Sequence, residues 1–308
     1  MQGVAAIGEV MIELAQAGLR TKALSYAGDT YNTAVYLARL QIPTAYVTRL
    51  GQDLYSDEIV VALQSEGIDT QWVERDPVRQ PGLYMIHNTV DGERQFSYWR
   101  GESAARLLFD RVSPPVALMQ YHYLYLSGIS LAILSQEARG RLGEFLEAYR
   151  RQGGKVVFDS NYRPRLWTNV QQAREVTSTF LQKTDVALLT LDDEMSLWGD
   201  ADQSQALNRL RQYPLQELVL KRGAAPALVV TEGSILDVPV CRVESVLDTT
   251  AAGDSFNAGY LAARCRGISP EGSIAWGAAC AAVVIQQRGA VLPKMLFLNE
   301  FEKLESGF

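Results

Sequence analysis

Cysteine and histidine are scarce in this chain, and their scarcity closes several routes to function. Three cysteines, Cys241, Cys265 and Cys280, lie far apart in 308 residues. Odd in number and matching no zinc-ligand spacing, they give no disulfide framework. Two histidines, His87 and His122, leave little scope for imidazole catalysis or a histidine-rich metal site. Basic clusters are missing, and the net charge is −6, which argues against nucleic acid or an anionic membrane surface as a partner. No apolar run approaches the ~20 residues of a membrane span. The start, "MQGVAAIGEVMIEL", has no basic n-region and carries Glu9 and Glu13 early, so no secretory signal is expected. No G-x-G-x-x-G follows the first apolar run, which argues against a nicotinamide-dependent dehydrogenase. A reducing cytoplasm is the expected compartment. An anionic ligand must then be held locally, by helix N-termini and a few arginines.

What is present suits a buried core: hydrophobic residues make up 47% of the chain. The length is long for one domain and short for two, which fits one large α/β domain with a small accessory element. Short apolar runs predict strands at Val4–Gly8, Ala45–Leu50, Tyr121–Leu126, Lys155–Asp159, Val186–Thr190, Glu217–Lys221 and Ala227–Thr231. Helical periodicity predicts Thr30–Leu40, Ser56–Glu66, Gln136–Arg150, Gln171–Gln182, Asp202–Gln212, Asp254–Cys265 and Pro270–Gln287. Strands alternating with helices indicate a parallel sheet covered on both faces. The segment "GLYMIHNTVDGERQFSYWR", Gly82 to Arg100, is different: two strand-like runs flank an Asp-Gly hairpin signal. It reads as part of a small β-lid, with Glu13–Leu14 and Leu24–Tyr26 as further lid strands.

The most informative stretch is "DTTAAGDSFNAG", Asp248 to Gly259. Ala251, Ala252 and Gly253 carry almost no side chain, so their N–H groups can face a ligand. The helix that follows brings the positive end of its dipole, and together these form an anion site suited to phosphate. Asp254 then stands beside the anion, where a carboxylate has a use as acceptor of a proton from an attacking hydroxyl. The plainer account is that Asp254 caps the first turn and Asp248 is a turn residue.

The whole string resembles the signature of the ribokinase-like (PfkB) carbohydrate kinases, D-T-x-G-A-G-D followed by a helix. The resemblance implies a ribokinase-like three-layer sandwich over residues 1–308, with a mostly parallel central sheet and lid excursions at about 10–27 and 82–100. It implies that the loop Ala251–Gly253 is the anion hole and Asp254 the general base. The family's first loop glycine is Ala251 here, tolerable unless the position needs a positive φ. The stretches "IGEVMIEL", "AGDTYNTAVYLARL", "DSNYRPRLW" and "LTLDDEMSLWG" are similar to one branch, the 2-keto-3-deoxygluconate kinases. That branch phosphorylates a six-carbon keto acid at its 6-hydroxyl.

The resemblance further implies that Gly28, Asn32, Tyr84, Tyr98, Arg100 and Arg163 bind the sugar acid. Asn161, Lys221, Gly223, Ala251 and Gly253 would lie along ATP. Glu194 would act on Mg²⁺ through water, and the Ala-rich helix near residue 280 would lie near the adenine. Parts of the family also hold a monovalent cation. The residue chemistry agrees in places: Tyr98 and Arg100 alternate onto one face of a strand, and arginine offers a planar fork to a carboxylate. Each also has a structural account. Gly28 can be a plain turn with Asp29 as N-cap, Arg100 a solvated strand end, and Arg163 an anchor for its loop. "LDDE" can be an acid-rich first helical turn, and the Ala-rich helix can be close helix packing. Lid aromatics Tyr84, Phe96 and Trp99, read as exposed, suggest a homo-oligomer through the lid or a wall for substrate. A fructokinase, a ribokinase and a non-catalytic sugar-binding protein on the same fold remain the alternatives.

Overall fold

The computed structural model describes residues 3–16, 18, 21–88 and 94–305. In chain order the strands are β1 (Val4–Ile7), β2 (Met11–Gln16), β3 (Lys22–Ala27), β4 (Thr44–Leu50), β5 (Val73–Arg75), β6 (Gly82–Asn88), β7 (Arg94–Trp99), β8 (Tyr123–Ser127), β9 (Lys155–Asp159), β10 (Val186–Thr190), β11 (Glu217–Lys221), β12 (Ala227–Thr231) and β13 (Ser234–Val238). The helices are α1 (Asp29–Arg39), α2 (Leu54–Ser65), α3 (Gly128–Ile133), α4 (Gln136–Arg151), α5 (Val170–Leu181), α6 (Leu191–Trp198), α7 (Gln203–Leu210), α8 (Ala252–Cys265), α9 (Pro270–Ile285) and α10 (Lys294–Glu305). Nine strands form one sheet in the order β13-β12-β11-β10-β9-β8-β1-β4-β5. It is parallel from β11 to β5, and β12 and β13 close one edge in antiparallel fashion.

Alternation within each strand sends side chains to two cores. Val4 and Ala6 enter the core under α1, α8, α9 and α10, while Ala5 and Ile7 enter the core shared by α3, α4, α5 and α6. Strands buried on both faces have no polar alternation, which is why "KVVFD" and "ELVLK" read as continuous apolar runs. The Ala-rich α9 packs tightly on α8. A β-carbon built on Gly259 would meet the Trp276 carbonyl oxygen at 2.5 Å, and one on Gly277 would meet the Phe256 carbonyl oxygen at 2.9 Å. Small residues in α9 are thus accounted for by helix contact.

The lid is a four-stranded sheet, β3-β2-β6-β7. Its register puts Tyr84 opposite Tyr98 and Glu13, with Phe96 on the same face. Tyr84 is buried and Phe96 half-buried, whereas Trp99 on the opposite face is 59% exposed. Of the three aromatics expected at the surface, Tyr84 and Phe96 instead turn inward and meet in a tilted pair, 6.2 Å between ring centroids. The hairpin tip, Val90–Glu93, lies outside the described residues.

The four passages between lid and body meet at Glu9. A β-carbon on Gly28 would lie 2.2 Å from the Glu9 carbonyl oxygen, so this position accepts only glycine. One on Gly82 would lie 3.0 Å from both Glu9 Oε1 and Arg100 Cβ. Glu9 itself is buried and ion-paired with Arg100, the residue after β7.

Several elements go beyond the sequence expectation: α3, α6, α10, β5 and β13. Strand β8 begins at Tyr123 rather than Tyr121, because the His122 and Tyr123 amides both turn to the Gly3 carbonyl, at 3.0 and 3.1 Å. Among the described residues no helix is long and apolar enough to cross a membrane.

Candidate active site

A cleft of about 1630 Å³ opens at the carboxyl ends of β9, β10 and β11, between the body and the lid. The sheet reverses its winding between β1 and β8, the usual ligand edge of an open α/β sheet. The loop before α8 forms one wall. Asp248 fixes it, accepting from the Thr250 amide at 3.0 Å and from the Gly289 amide at 2.7 Å. Ala251 then takes a left-handed conformation, φ 61° and ψ 14°, as the N-cap of α8. The position therefore does need a positive φ, and the methyl that replaces the family's glycine sits in a strained region. The Ala252 amide closes the turn on the Thr249 carbonyl at 3.2 Å, and the Ser255 amide reaches the Ala251 carbonyl at 2.9 Å. Among the described residues, the amides of Gly253 and Asp254 have no main-chain acceptor. They remain at the positive end of the helix, where main-chain donors can face an anion.

Asp254 is only 8% exposed, on the cleft wall. Its Oδ2 accepts from Asn32 Nδ2 at 2.8 Å, and Thr33 Oγ1 donates to its carbonyl at 3.1 Å, so α1 holds α8 in place. Burial, and then the carboxylates of Asp29 and Asp159, raise its pKa to about 8 against the opposing pull of Asn32 and Lys221. The side chain thus makes no cap bond. Asp29 is not the N-cap of α1 either: Gly28 occupies that position, and Asp29 lies in the first turn, buried, receiving Asn161 Nδ2 at 3.1 Å. Burial raises its pKa as well.

The expected sugar residues gather on one side. Gly28 and Asn32 line the cleft from the body, and Tyr84, Tyr98 and Arg100 line it from the lid. Tyr84 donates its hydroxyl to Glu13. Arg100 is no solvated strand end, being buried with Glu9 as its partner. Arg163 also lines the cleft, half-exposed, with Asp193 at 3.5 Å and its own Nη1 on the Tyr162 carbonyl at 2.9 Å. Arg163 thus anchors its loop and also faces the cleft.

Of the residues expected along ATP, Asn161 is buried with φ 30°, and Lys221 ends β11 on the cleft wall. Gly223 lies outside that wall, in the exposed β11–β12 turn with φ 61°. Glu194 also lies off the wall. It is fully buried at 3.1 Å from Arg209, and burial raises its pKa to about 7. Asp193, one residue earlier in the same acid-rich turn of α6, faces the cleft instead. Asp29, Asp159 and Asp193 escaped the sequence reading. Asp159 could have been found as the acid that closes a fully apolar strand, but which acid of "LDDE" faces the ligand depends on helix phase.

Known proteins resemble this chain. The profile described as "pfkB family carbohydrate kinase" matches residues 1–295. A curated 2-dehydro-3-deoxygluconokinase of Dickeya dadantii is 46% identical over 304 residues, covering 95% of this chain and 97% of that protein. One from Haemophilus influenzae is 39% identical over 307 residues, covering 96% and 97%. A fructokinase from Vibrio cholerae O395, solved with fructose, ADP and calcium ion bound, shares the fold with a TM-score of 0.84 at 25% identity, over 97% of this chain and 98% of that one. With a matched profile over nearly all its length, the chain belongs to the pfkB family of carbohydrate kinases.

Proposed function

We propose that this kinase transfers the γ-phosphoryl group of ATP to the 6-hydroxyl of 2-dehydro-3-deoxygluconate, also called 2-keto-3-deoxygluconate. The substrate is suggested by the kinases named for it, 46% and 39% identical over nearly the whole chain. The observation that carries the chemistry is a buried carboxylate, Asp254, at the N-terminus of α8 with its pKa raised to about 8. A base of that strength can take a hydroxyl proton and be regenerated near neutral pH. The 6-hydroxyl gives its proton to Asp254 as its oxygen bonds to the γ-phosphorus. The bond from that phosphorus to the β–γ bridging oxygen breaks, and ADP leaves. The amides of Gly253 and Asp254 and the α8 dipole stabilise the charge in transfer.

Gly28, Asn32, Tyr84, Tyr98, Arg100 and Arg163 would orient the sugar acid, with the arginines addressing its carboxylate. Asn161 and Lys221 would face the nucleotide phosphates, and the Gly223 turn would border the rest of ATP. Magnesium would neutralise phosphate charge. The donor set suits it: Asp159 and Asp193 on the cleft wall offer carboxylate oxygens. An ion that keeps its waters and binds phosphate asks for little more. Leu24 and Trp99, exposed on the outer lid face, support self-association through the lid.

A coupled assay of ADP release across keto-deoxy sugar acids and neutral sugars tests the reading. Turnover is expected to be highest on 2-dehydro-3-deoxygluconate. Higher kcat/KM on fructose or ribose would replace the substrate, and no turnover on any sugar would remove the chemistry.

A further inference from the structure

Three buried side chains beneath the anion loop form a closed triangle. Lys221 Nζ donates to Asp159 Oδ2 at 3.2 Å and to Asn257 Oδ1 at 3.0 Å. Asn257 Nδ2 donates back to Asp159 Oδ2 at 2.7 Å and reaches the Tyr125 hydroxyl at 3.1 Å. Asn257 is fully buried and does not line the cleft, whereas Lys221 and Asp159 do. An ammonium carries three N–H donors, and two are used here. The ammonium also lies directly behind the loop, 3.5 Å from where a β-carbon on Gly253 would stand. With no side chain at Gly253, nothing from that residue covers the third donor.

The charge balance gives this arrangement a purpose. Asp29, Asp159, Asp193, Asp248 and Asp254 bring five carboxylates to the cleft wall, and the wall's other buried cation, Arg100, is engaged by Glu9. A phosphoryl group arriving there needs a fixed cation. Asp159 alone would draw Lys221 into a simple ion pair turned from the loop. Asn257 offers a neutral acceptor on α8, one helical turn after Asp254, and so divides the ammonium's donors between β9 and α8.

We infer that Asn257 is a positioning residue: together with Asp159 it holds the Lys221 ammonium against Gly253 so that one N–H faces the phosphoryl group in transfer. This rests on the phosphotransfer reading above and adds to it a residue that touches neither substrate. The test uses Asn257→Ala and Asn257→Leu, the second keeping the branched four-atom side chain without its polar atoms, each checked for folding by its melting transition. Expected is a fall in kcat of about 10- to 100-fold, the worth of one charge-assisted hydrogen bond, with KM for the sugar acid within about twofold. Affinity for a non-hydrolysable ATP analogue should fall about tenfold more than affinity for ADP. In a Lys221→Met background the Asn257 substitutions should cost nothing further, because the two residues act as one unit. Equal weakening of ADP and analogue, or independent losses in the double variant, would overturn the inference. The ADP comparison needs no sugar, so it decides the matter even if the substrate proves to be another sugar.

Discussion

Replacing Asp254 with asparagine should make the protein inactive and more stable at once. The native pKa of about 8 stands above the ordinary 3.8, so the folded state prefers the protonated carboxyl while the unfolded chain ionises. The sign follows: the carboxyl leaves stability untouched below about pH 4 and costs progressively more as pH rises toward 8. At pH 7 the gap is about 3 pKa units, each about 1.4 kcal/mol, or on the order of 4 kcal/mol. Asparagine escapes that cost, keeps an oxygen for Asn32 Nδ2, and removes the repulsion from Asp29 and Asp159. Its added amide donor needs a partner, which reduces the gain to roughly 2–4 kcal/mol. Urea denaturation of both proteins from pH 4 to 8.5 should show midpoints that coincide at the acid end and diverge upward, while kcat falls by at least ~100-fold. A gain independent of pH, or a variant less stable at pH 8, would refute the desolvated carboxylate. Retention of kcat within about tenfold would refute its role as base.

Two further outcomes follow from the geometry. Ala251→Gly should relieve the left-handed strain at φ 61°, raising Tm by about 1–4 °C after the glycine's own entropy cost, with kcat unchanged; differential scanning calorimetry and the coupled assay measure both. Arg100→Met should leave the buried Glu9 carboxylate unpaired, costing about 3–5 kcal/mol in a urea titration, and should raise KM for the sugar acid more than KM for ATP.

The parts of this molecule legible in the sequence are those where one residue's neighbours in the chain decide its fate. The buried strands β9, β10 and β11 read correctly because burial on both faces leaves an unbroken apolar run. The turn after Asp248 could be seen leading into a helix because small residues there give no core side chain, although α8 begins at Ala252, two residues before the expected Asp254. Helix α3 did not, because six residues buried nearly all round show no periodicity. Helix α10 carries a stripe of Phe297, Phe301 and Leu304 that periodicity could have found. Within the site, the lid contacts followed from strand alternation, but burial did not. Nothing local says that Arg100 meets Glu9, 91 positions away, or that Asn257 meets Asp159, 98 away. Those pairs exist only because the sheet order brings β1, β9 and β11 to one edge. The left-handed Ala251 was legible only as a condition, since alanine itself gives no sign of it.

The crossing of four chain segments at Glu9 has an engineering consequence. Each of the two excursions that build the cover over the cleft leaves and re-enters the body at nearly the same point, Glu9 with Gly28 and Gly82 with Arg100. Both detours span almost no distance at their base, so each can be replaced by a short turn without pulling on the framework. Loss of the cover should therefore leave the underlying framework foldable, with its phosphate-facing wall in place and its sugar side bare. A double-loop deletion that melts cooperatively and still binds ADP is the expected product; failure to fold would show that the cover is a structural part of the body.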